Sequence, residues 1–162
     1  DTQAVTLTRP SQPEELCAVR TLFQEYADSL GVDLCFQGFE AELADLPGEY
    51  GSPRGCLLLA WVGDALAGCC ALRPLDNCDY PNAGEMKRLY VRKAFRAFGI
   101  GRELAEATLG AARQIGYTSV LLDTLDDMEA ARALYTDLGF AEIPPYYHNP
   151  LPGSHYLKVD II

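Results

Sequence analysis

The stretch VRKAFRAFGIGR, residues 91–102, decides how the rest of the chain is interpreted. It follows an apolar strand-like run, and Gly99 and Gly101 open a strongly amphipathic helix after a basic turn. The first turn of a helix has N–H groups without internal partners and carries the positive end of the helix dipole. Glycine at this point lets a ligand approach the backbone closely. With Arg96 and Arg102 as charged donors, the stretch predicts a phosphate-binding helix start.

Two common phosphate motifs do not fit this stretch. A dinucleotide-binding fingerprint, G-x-G-x-x-G, would need a third glycine where Leu104 stands, and a Walker loop would end in Gly-Lys-Ser/Thr. A glycine-rich helix start that binds no ligand is the plain alternative. The preceding strand, the two arginines and the following apolar helix favour a ligand instead.

Outward from this stretch, the apolar periodicity predicts a series of strands and helices. Strands are predicted over 4–9, 56–62, 65–73, 85–91, 119–124, 140–143 and 156–159, and helices over 13–30, 39–46, 99–115 and 129–138. Hairpins come first and strand–helix–strand units follow. The sequence therefore predicts an α/β (α+β) fold with a mixed, mostly antiparallel sheet of about seven strands and helices on both faces.

Composition narrows the class of protein. The chain has 162 residues, 49% of them hydrophobic and 22% charged, which is typical of one folded domain. A formal net charge of −10 argues against nucleic-acid binding and is compatible with a cationic acceptor. The sequence contains no apolar run of the roughly 20 residues that a membrane span needs.

The number and spacing of the cysteines indicate whether the chain binds a metal or forms disulfides. The six cysteines form no C-x-x-C pair, and two histidines are the only other soft ligands. We therefore expect no metal, reduced thiols and a cytoplasmic location. Cys69 and Cys70 are neighbours in a predicted strand and should point to opposite faces of the sheet.

Two motifs carry a family resemblance. Arg96-x-x-Gly99-x-Gly101 after a strand resembles the pyrophosphate loop of the GNAT acetyltransferases, R/Q-x-x-G-x-G/A. Residues 131–140, ARALYTDLGF, resemble the family's second signature, A-x-x-L-Y-x-x-x-G-F. The two motifs stand in the usual order, separated by one predicted strand. The resemblance is specific over 85–143 and implies the GNAT fold, here as a single domain over 1–162.

The resemblance also implies an activity and a set of binding residues. It implies an N-acetyltransferase that moves the acetyl group of acetyl-CoA directly to an amine in a ternary complex, without a covalent enzyme intermediate. The residues expected to bind acetyl-CoA are Leu89, Tyr90, Val91, Arg96, Ala97, Phe98, Gly99, Ile100, Gly101 and Arg102. Among these, the Leu89 N–H is the expected oxyanion donor. Many family members have asparagine near position 128, where this chain has Met128.

The resemblance implies two catalytic residues, Tyr135 and Glu85. Tyr135 stands where the family places the tyrosine that protonates the departing thiolate, and a half-buried structural tyrosine is the alternative. Glu85 stands where several members keep a glutamate as general base. Strand alternation would put Glu85 on one face with Lys87, Leu89 and Val91, and Lys87 would then reduce its basicity.

Other candidates for the base remain open. Asp123, late in the next predicted strand, is the alternative carboxylate. The tail IPPYYHNP, residues 143–150, contains Tyr147 and His148, either of which would suit acceptor binding or proton relay as well as a rigid surface loop.

The acceptor and the partners also stay open at this stage. Small-molecule amines and protein amines both fit, and the resemblance allows a homodimer whose contact strand the sequence does not identify. The alternative from another class is a CoA-binding sensor or interaction domain that has lost turnover.

Overall fold

The computed structural model describes residues 4–31, 38–125, 128–147, 149 and 151–161. Seven strands and four helices alternate in the predicted order. The strands are β1 (Val5–Thr8), β2 (Cys56–Val62), β3 (Ala65–Leu75), β4 (Ala83–Val91), β5 (Ser119–Leu125), β6 (Ala141–Ile143) and β7 (Ser154–Asp160). The helices are α1 (Pro13–Leu30), α2 (Phe39–Ala44), α3 (Ile100–Ile115) and α4 (Glu129–Asp137), with short 3-10 helices at Gly48–Tyr50 and Lys93–Phe98.

The seven strands form one sheet in the order β1-β2-β3-β4-β5-β7-β6. Neighbouring strands are antiparallel throughout, except β4 and β5, which are parallel. The prediction of a mixed, mostly antiparallel seven-stranded sheet is confirmed. The basic turn predicted between β4 and α3 forms a 3-10 helix over Lys93–Phe98, which the sequence did not predict.

Helices cover both faces of the sheet, as predicted. Val19, Leu22 and Phe23 of α1 pack on one face, and the apolar stripe of α3 packs on the other. Cys69 belongs to the first cluster and Cys70 to the second, so the predicted alternation at this pair is confirmed. The five described cysteines are free thiols.

The strand β4 contains a bulge that the sequence did not predict. Tyr90 pairs with Cys69 and Lys87 pairs with Ala71, so two residues of β4 lie opposite Cys70 alone. At the bulge Arg88 has a φ of +63°, in the left-handed region. An extra residue in one strand shifts every following side chain to the other face.

The prediction that Glu85, Lys87, Leu89 and Val91 share one face is therefore wrong. Leu89 and Val91 pack against the cluster on the α3 face, whereas Tyr90 joins the α1 face. Glu85 and Lys87 precede the bulge and lie on the α1 face, opposite Met86. The bulge separates the predicted base from the predicted oxyanion donor.

The pairing of β4 with β5 is short. Only Ala83, Gly84 and Glu85 pair with β5, at Ser119, Val120 and Leu121. Beyond these pairs the two strands diverge, while β5 stays paired with β7 along its whole length. The divergence opens the sheet at its centre. Within the described residues, none of the helices has the length and apolar character to cross a membrane.

Candidate active site

A cleft lies where β4 and β5 diverge. Its walls include Leu89 at the bulge of β4, Asp123 near the end of β5 and Tyr135 of α4. Met128 also borders the cleft, at the position where the sequence departs from the family pattern. The structure thus brings together three groups that the sequence singled out separately: the strand backbone, one candidate carboxylate and the signature tyrosine.

Tyr135 is held in the wall by packing. Its side chain is buried, and its ring meets Phe140 edge-on at 5.5 Å between centroids. Burial raises the pKa of Tyr135 well above its ordinary value, so the hydroxyl remains protonated at neutral pH. A protonated hydroxyl in the cleft wall is a hydrogen-bond donor, which is the state that the predicted role needs.

Asp123 is positioned by the segment after β6. The Tyr147 hydroxyl donates to Asp123 Oδ2 at 2.6 Å, and Asn149 Nδ2 donates to the same oxygen at 3.1 Å. No described hydrogen bond occupies Oδ1. The carboxylate is half-buried at the cleft, so its position is fixed while one oxygen keeps free lone pairs.

Glu85 has a different environment. Its side chain is 1% exposed, Arg73 Nε donates to Oε1 at 2.7 Å, and the Tyr146 hydroxyl donates to Oε2 at 2.6 Å. Lys87 Nζ is 4.0 Å from Oε1. Burial alone would raise the pKa of Glu85, but the charges of Lys87 and Arg73 and these hydrogen bonds outweigh it and lower the pKa. The carboxylate is thus a weak base.

A second cavity adjoins the cleft on the α1 face and has a volume of about 590 Å³. Glu85, Arg73, Tyr146 and Tyr147 contribute to its wall. Lys87 borders both the cavity and the cleft. The cavity therefore offers a route by which a second small molecule could reach the cleft at Lys87.

The side chain of Arg88, at the bulge, packs against α2 on the α1 face of the sheet. It is buried, donates to both carboxylate oxygens of Glu42 at 3.0 Å, and lies 5.2 Å from the centre of the Phe39 ring. Such a bidentate pair with a cation–π contact holds a guanidinium rigidly. The contacts with Glu42 and Phe39 thus link the bulge of β4 to α2, which lies between β1 and β2 in the chain.

The predicted phosphate site lies at the start of α3. Gly99 has a φ of +72°, a conformation that other residues rarely adopt, and Ile100 is fully buried. Arg96 is exposed, and its Nε donates to the Val91 carbonyl at 3.0 Å. Arg102 donates to Asp137 at 2.9 Å. Residues 96–102 are not among the described residues that line the cleft or the cavity.

Sequence reasoning missed two residues of the site. Arg73 lies directly opposite Glu85 in the β3–β4 pairing, and this cross-strand pair becomes visible once the hairpin register is known. Tyr146 reaches Glu85 from a loop 61 residues later, and no local pattern predicts such a contact. His148 lies outside the described residues.

Sequence comparisons with known proteins identify the family of this chain. The sequence model of the Acetyltransferase (GNAT) family matches residues 19–140. An uncharacterized N-acetyltransferase of Schizosaccharomyces pombe is 38% identical over 159 residues, which cover 97% of this chain and 95% of that protein.

Solved structures show the same fold. An acetyltransferase of the GNAT family from Staphylococcus aureus Mu50 superposes with a TM-score of 0.79 at 19% identity and covers 98% of this chain and 100% of its own. YncA of Salmonella typhimurium, solved with its cofactor acetyl-CoA, has a TM-score of 0.72 at 17% identity over 98% of this chain and 95% of its own. The chain belongs to the GNAT acetyltransferase family, and it is an acetyltransferase enzyme.

We expect Glu85→Gln to lower the free energy of unfolding by about 3 kcal/mol at pH 7, because it removes a buried partner of Arg73 and Lys87. A carboxylate whose pKa is lowered by folding adds stability above the pKa of the unfolded chain, about 4.5, and loses it as the pH falls through the folded pKa. The difference between wild type and variant should therefore shrink between pH 5 and pH 3, as measured by urea unfolding.

Glu49→Gln is the matched control. Glu49 pairs with the same arginine, Arg73, but its side chain is 62% exposed. Exposed pairs contribute little, so this variant should change the free energy by less than about 0.5 kcal/mol at either pH. A deficit for Glu85→Gln that stays constant or grows in acid would contradict the assignment of a lowered pKa.

Proposed function

We propose that this enzyme transfers the acetyl group of acetyl-CoA to a primary amine by direct attack within a ternary complex. The observation that carries the proposal is the cleft between β4 and β5, with Leu89, Asp123 and Tyr135 on its walls. The cleft lies beyond the C-terminal end of the segment of β4 that pairs with β5, and it shares Lys87 with the second cavity. A cytoplasmic location, a single domain and a homodimer remain predictions of the sequence.

The start of α3 suits the pyrophosphate of acetyl-CoA. A Cβ at Gly101 would lie 3.8 Å from Leu134 and 3.9 Å from Val91, so the first turn of α3 packs beside the end of β4, where the predicted pantetheine and pyrophosphate residues meet. Arg96 is exposed and retains donors beyond the Nε that bonds Val91. We assign the binding of acetyl-CoA to the predicted set, with Leu89, Tyr90 and Val91 along the pantetheine arm and residues 96–102 at the pyrophosphate.

Three groups of this chain would serve the transfer. The Leu89 N–H, at the bulge, would stabilise the oxygen of the thioester as it becomes anionic. Tyr135 would donate its proton towards the departing sulfur, and its raised pKa keeps that proton available. Because a thiol is a stronger acid than this tyrosine, a strong hydrogen bond to sulfur suffices for that role.

We propose Asp123, rather than Glu85, as the group that receives the proton of the amine. Asp123 borders the cleft and has one oxygen without a described hydrogen bond. Both oxygens of Glu85 accept hydrogen bonds, and its lowered pKa makes it less basic. Glu85 then serves to fix Arg73, Lys87 and Tyr146 at the edge of the cavity.

Acetyl-CoA at 100 times its dissociation constant should stabilise the fold by roughly 2.7 kcal/mol. Arg96→Ala should weaken binding by about tenfold, because a charged hydrogen bond to phosphate contributes on the order of 1.5 kcal/mol or more. Urea unfolding with and without acetyl-CoA measures the first effect, and titration calorimetry measures the second. Arg113→Ala, in the last turn of α3 and far from the start of that helix, should bind like wild type; equal losses in both variants would argue against a site at residues 96–102.

Tyr135→Phe should lower kcat by about 100-fold while changing the KM for acetyl-CoA little, because the variant cannot donate a hydrogen bond to the sulfur as it leaves. The ring and its contact with Phe140 are retained. Tyr80→Phe removes a hydroxyl outside the cleft and should keep the wild-type rate. If thiol release by Tyr135→Phe matches wild type where chemistry limits the rate, Tyr135 has only a packing role.

Asp123→Asn should lower kcat/KM by ~10²–10⁴ near neutral pH, the range of general base catalysis. The loss should shrink at high pH, where more of the acceptor is already a neutral amine. Glu85→Gln should lose less than Asp123→Asn, with little dependence on pH. A larger and pH-dependent loss in Glu85→Gln would make Glu85 the base, as the family resemblance implied.

A further inference from the structure

We propose that the acceptor is a free amino acid, whose carboxylate binds the ammonium group of Lys87. This inference rests on the proposed function and names its substrate class. It depends on how the charged side chains in the wall of the second cavity are paired. They argue against the cationic acceptor that the net charge suggested.

Every carboxylate in the described wall of the cavity has an arginine partner, and Arg73 serves two of them. Each of the four in its described lining accepts a hydrogen bond from an arginine: Glu42 from Arg88, Glu49 and Glu85 from Arg73, and Asp76 from Arg54. An acceptor with a second positive charge would have to displace one of these guanidinium groups. The negative net charge of the chain therefore does not extend to this cavity as free carboxylates.

Lys87 is the exception among the cations of this wall. Its side chain is 7% exposed, and its nearest carboxylate oxygen, Glu85 Oε1, is 4.0 Å away, too far for a hydrogen bond. Glu85 gives its closer contacts to Arg73 and Tyr146. An ammonium group has three donors, and Lys87 Nζ keeps solvent contact, since it is not among the fully buried polar atoms without a partner. Among the described residues, these donors have no hydrogen-bond acceptor, so they are suited to an anion supplied by a ligand.

The location of Lys87 limits where that anion sits in the acceptor. Lys87 borders both the cavity and the cleft, and it is two residues from Leu89, the proposed oxyanion donor. An anion held there must be close to the attacking nitrogen. In an α-amino acid a single carbon separates the amine from the carboxylate. A cavity of about 590 Å³ is of the size that takes small molecules.

Lys87 would also help the chemistry of such an acceptor. A positive charge close to an ammonium group lowers its pKa and favours the neutral amine that attacks. One lysine would thus select the carboxylate and promote loss of the proton from the amine. A simple amine without a carboxylate would meet the same charge without compensation and bind poorly.

The test is a comparison of acceptors at saturating acetyl-CoA with the full chain, following thiol release. A panel of free L-amino acids is compared with the corresponding carboxamides, in which the carboxylate is neutral. Wild type should react with its best amino acid at a kcat/KM at least tenfold above that for the amide. In Lys87→Met this ratio should fall by about 10- to 100-fold, the effect of losing a charge-assisted hydrogen bond.

Matched variants distinguish recognition from a general loss of activity. Lys87→Arg keeps the charge and should retain most of the preference, and Lys158→Met, on β7 outside the cavity, should keep the wild-type ratio. The change in the ratio between two proteins does not depend on the acceptor's own pKa, because the same two acceptors are compared each time.

The outcomes separate the inference from the proposed function. If amides are acetylated at least as well as amino acids, or if Lys87→Met leaves the ratio unchanged, the inference is wrong while amine acetylation stands. If acetyl-CoA binds but no amine in either panel releases thiol, the inference is wrong, and the proposed function fails only if protein amines release no thiol either.

Discussion

The short parallel contact between β4 and β5 is the constraint on which the rest of the structure depends. Three residue pairs join two antiparallel halves of the sheet, and each half is otherwise complete by itself. Past these pairs, the bulge at Arg88 turns Leu89 towards the α3 face, while β5 follows β7. The divergence of β4 and β5 provides unpaired backbone groups at a cleft inside the sheet, in addition to those of its edge strands β1 and β6.

The two faces of the sheet differ in chemical character around that opening. The α3 face is apolar, with Leu104, Ala105 and Val120 fully buried, and it holds the helix start against the strand. The α1 face carries a network of buried ions around Glu85 and Arg88. Buried ion pairs add little net stability, but they fix positions well, because any displaced partner leaves a charge unpaired in a low dielectric. The position of Lys87 at the cavity depends on that network.

Much of the fold was predictable from local patterns. The order of the elements follows from periodicity and turn residues, and the two signature motifs place α3 and Tyr135. The bulge was not predictable, because Arg88 occupies a left-handed conformation with no glycine or asparagine to indicate it. Because the bulge was not predicted, Leu89 was expected on the same face of the sheet as Glu85, whereas the two residues lie on opposite faces. The contacts of Tyr146 and Tyr147 with the two carboxylates depend on tertiary docking of a loop, which single-sequence patterns do not encode.

The loop that contains Tyr146 and Tyr147 has a consequence for the order in which the molecule is assembled. On the ribosome, β4, the bulge and its Arg88–Glu42 pair can form while the later strands are still being synthesised. Glu85 and Asp123 receive their tyrosine partners only after residues 146 and 147 emerge, and β7 must then insert between β5 and β6. Nascent chains that lack this segment contain both carboxylates without their tyrosine partners. Glu85 and Asp123 therefore reach their final environment only after the loop and β7 have been synthesised.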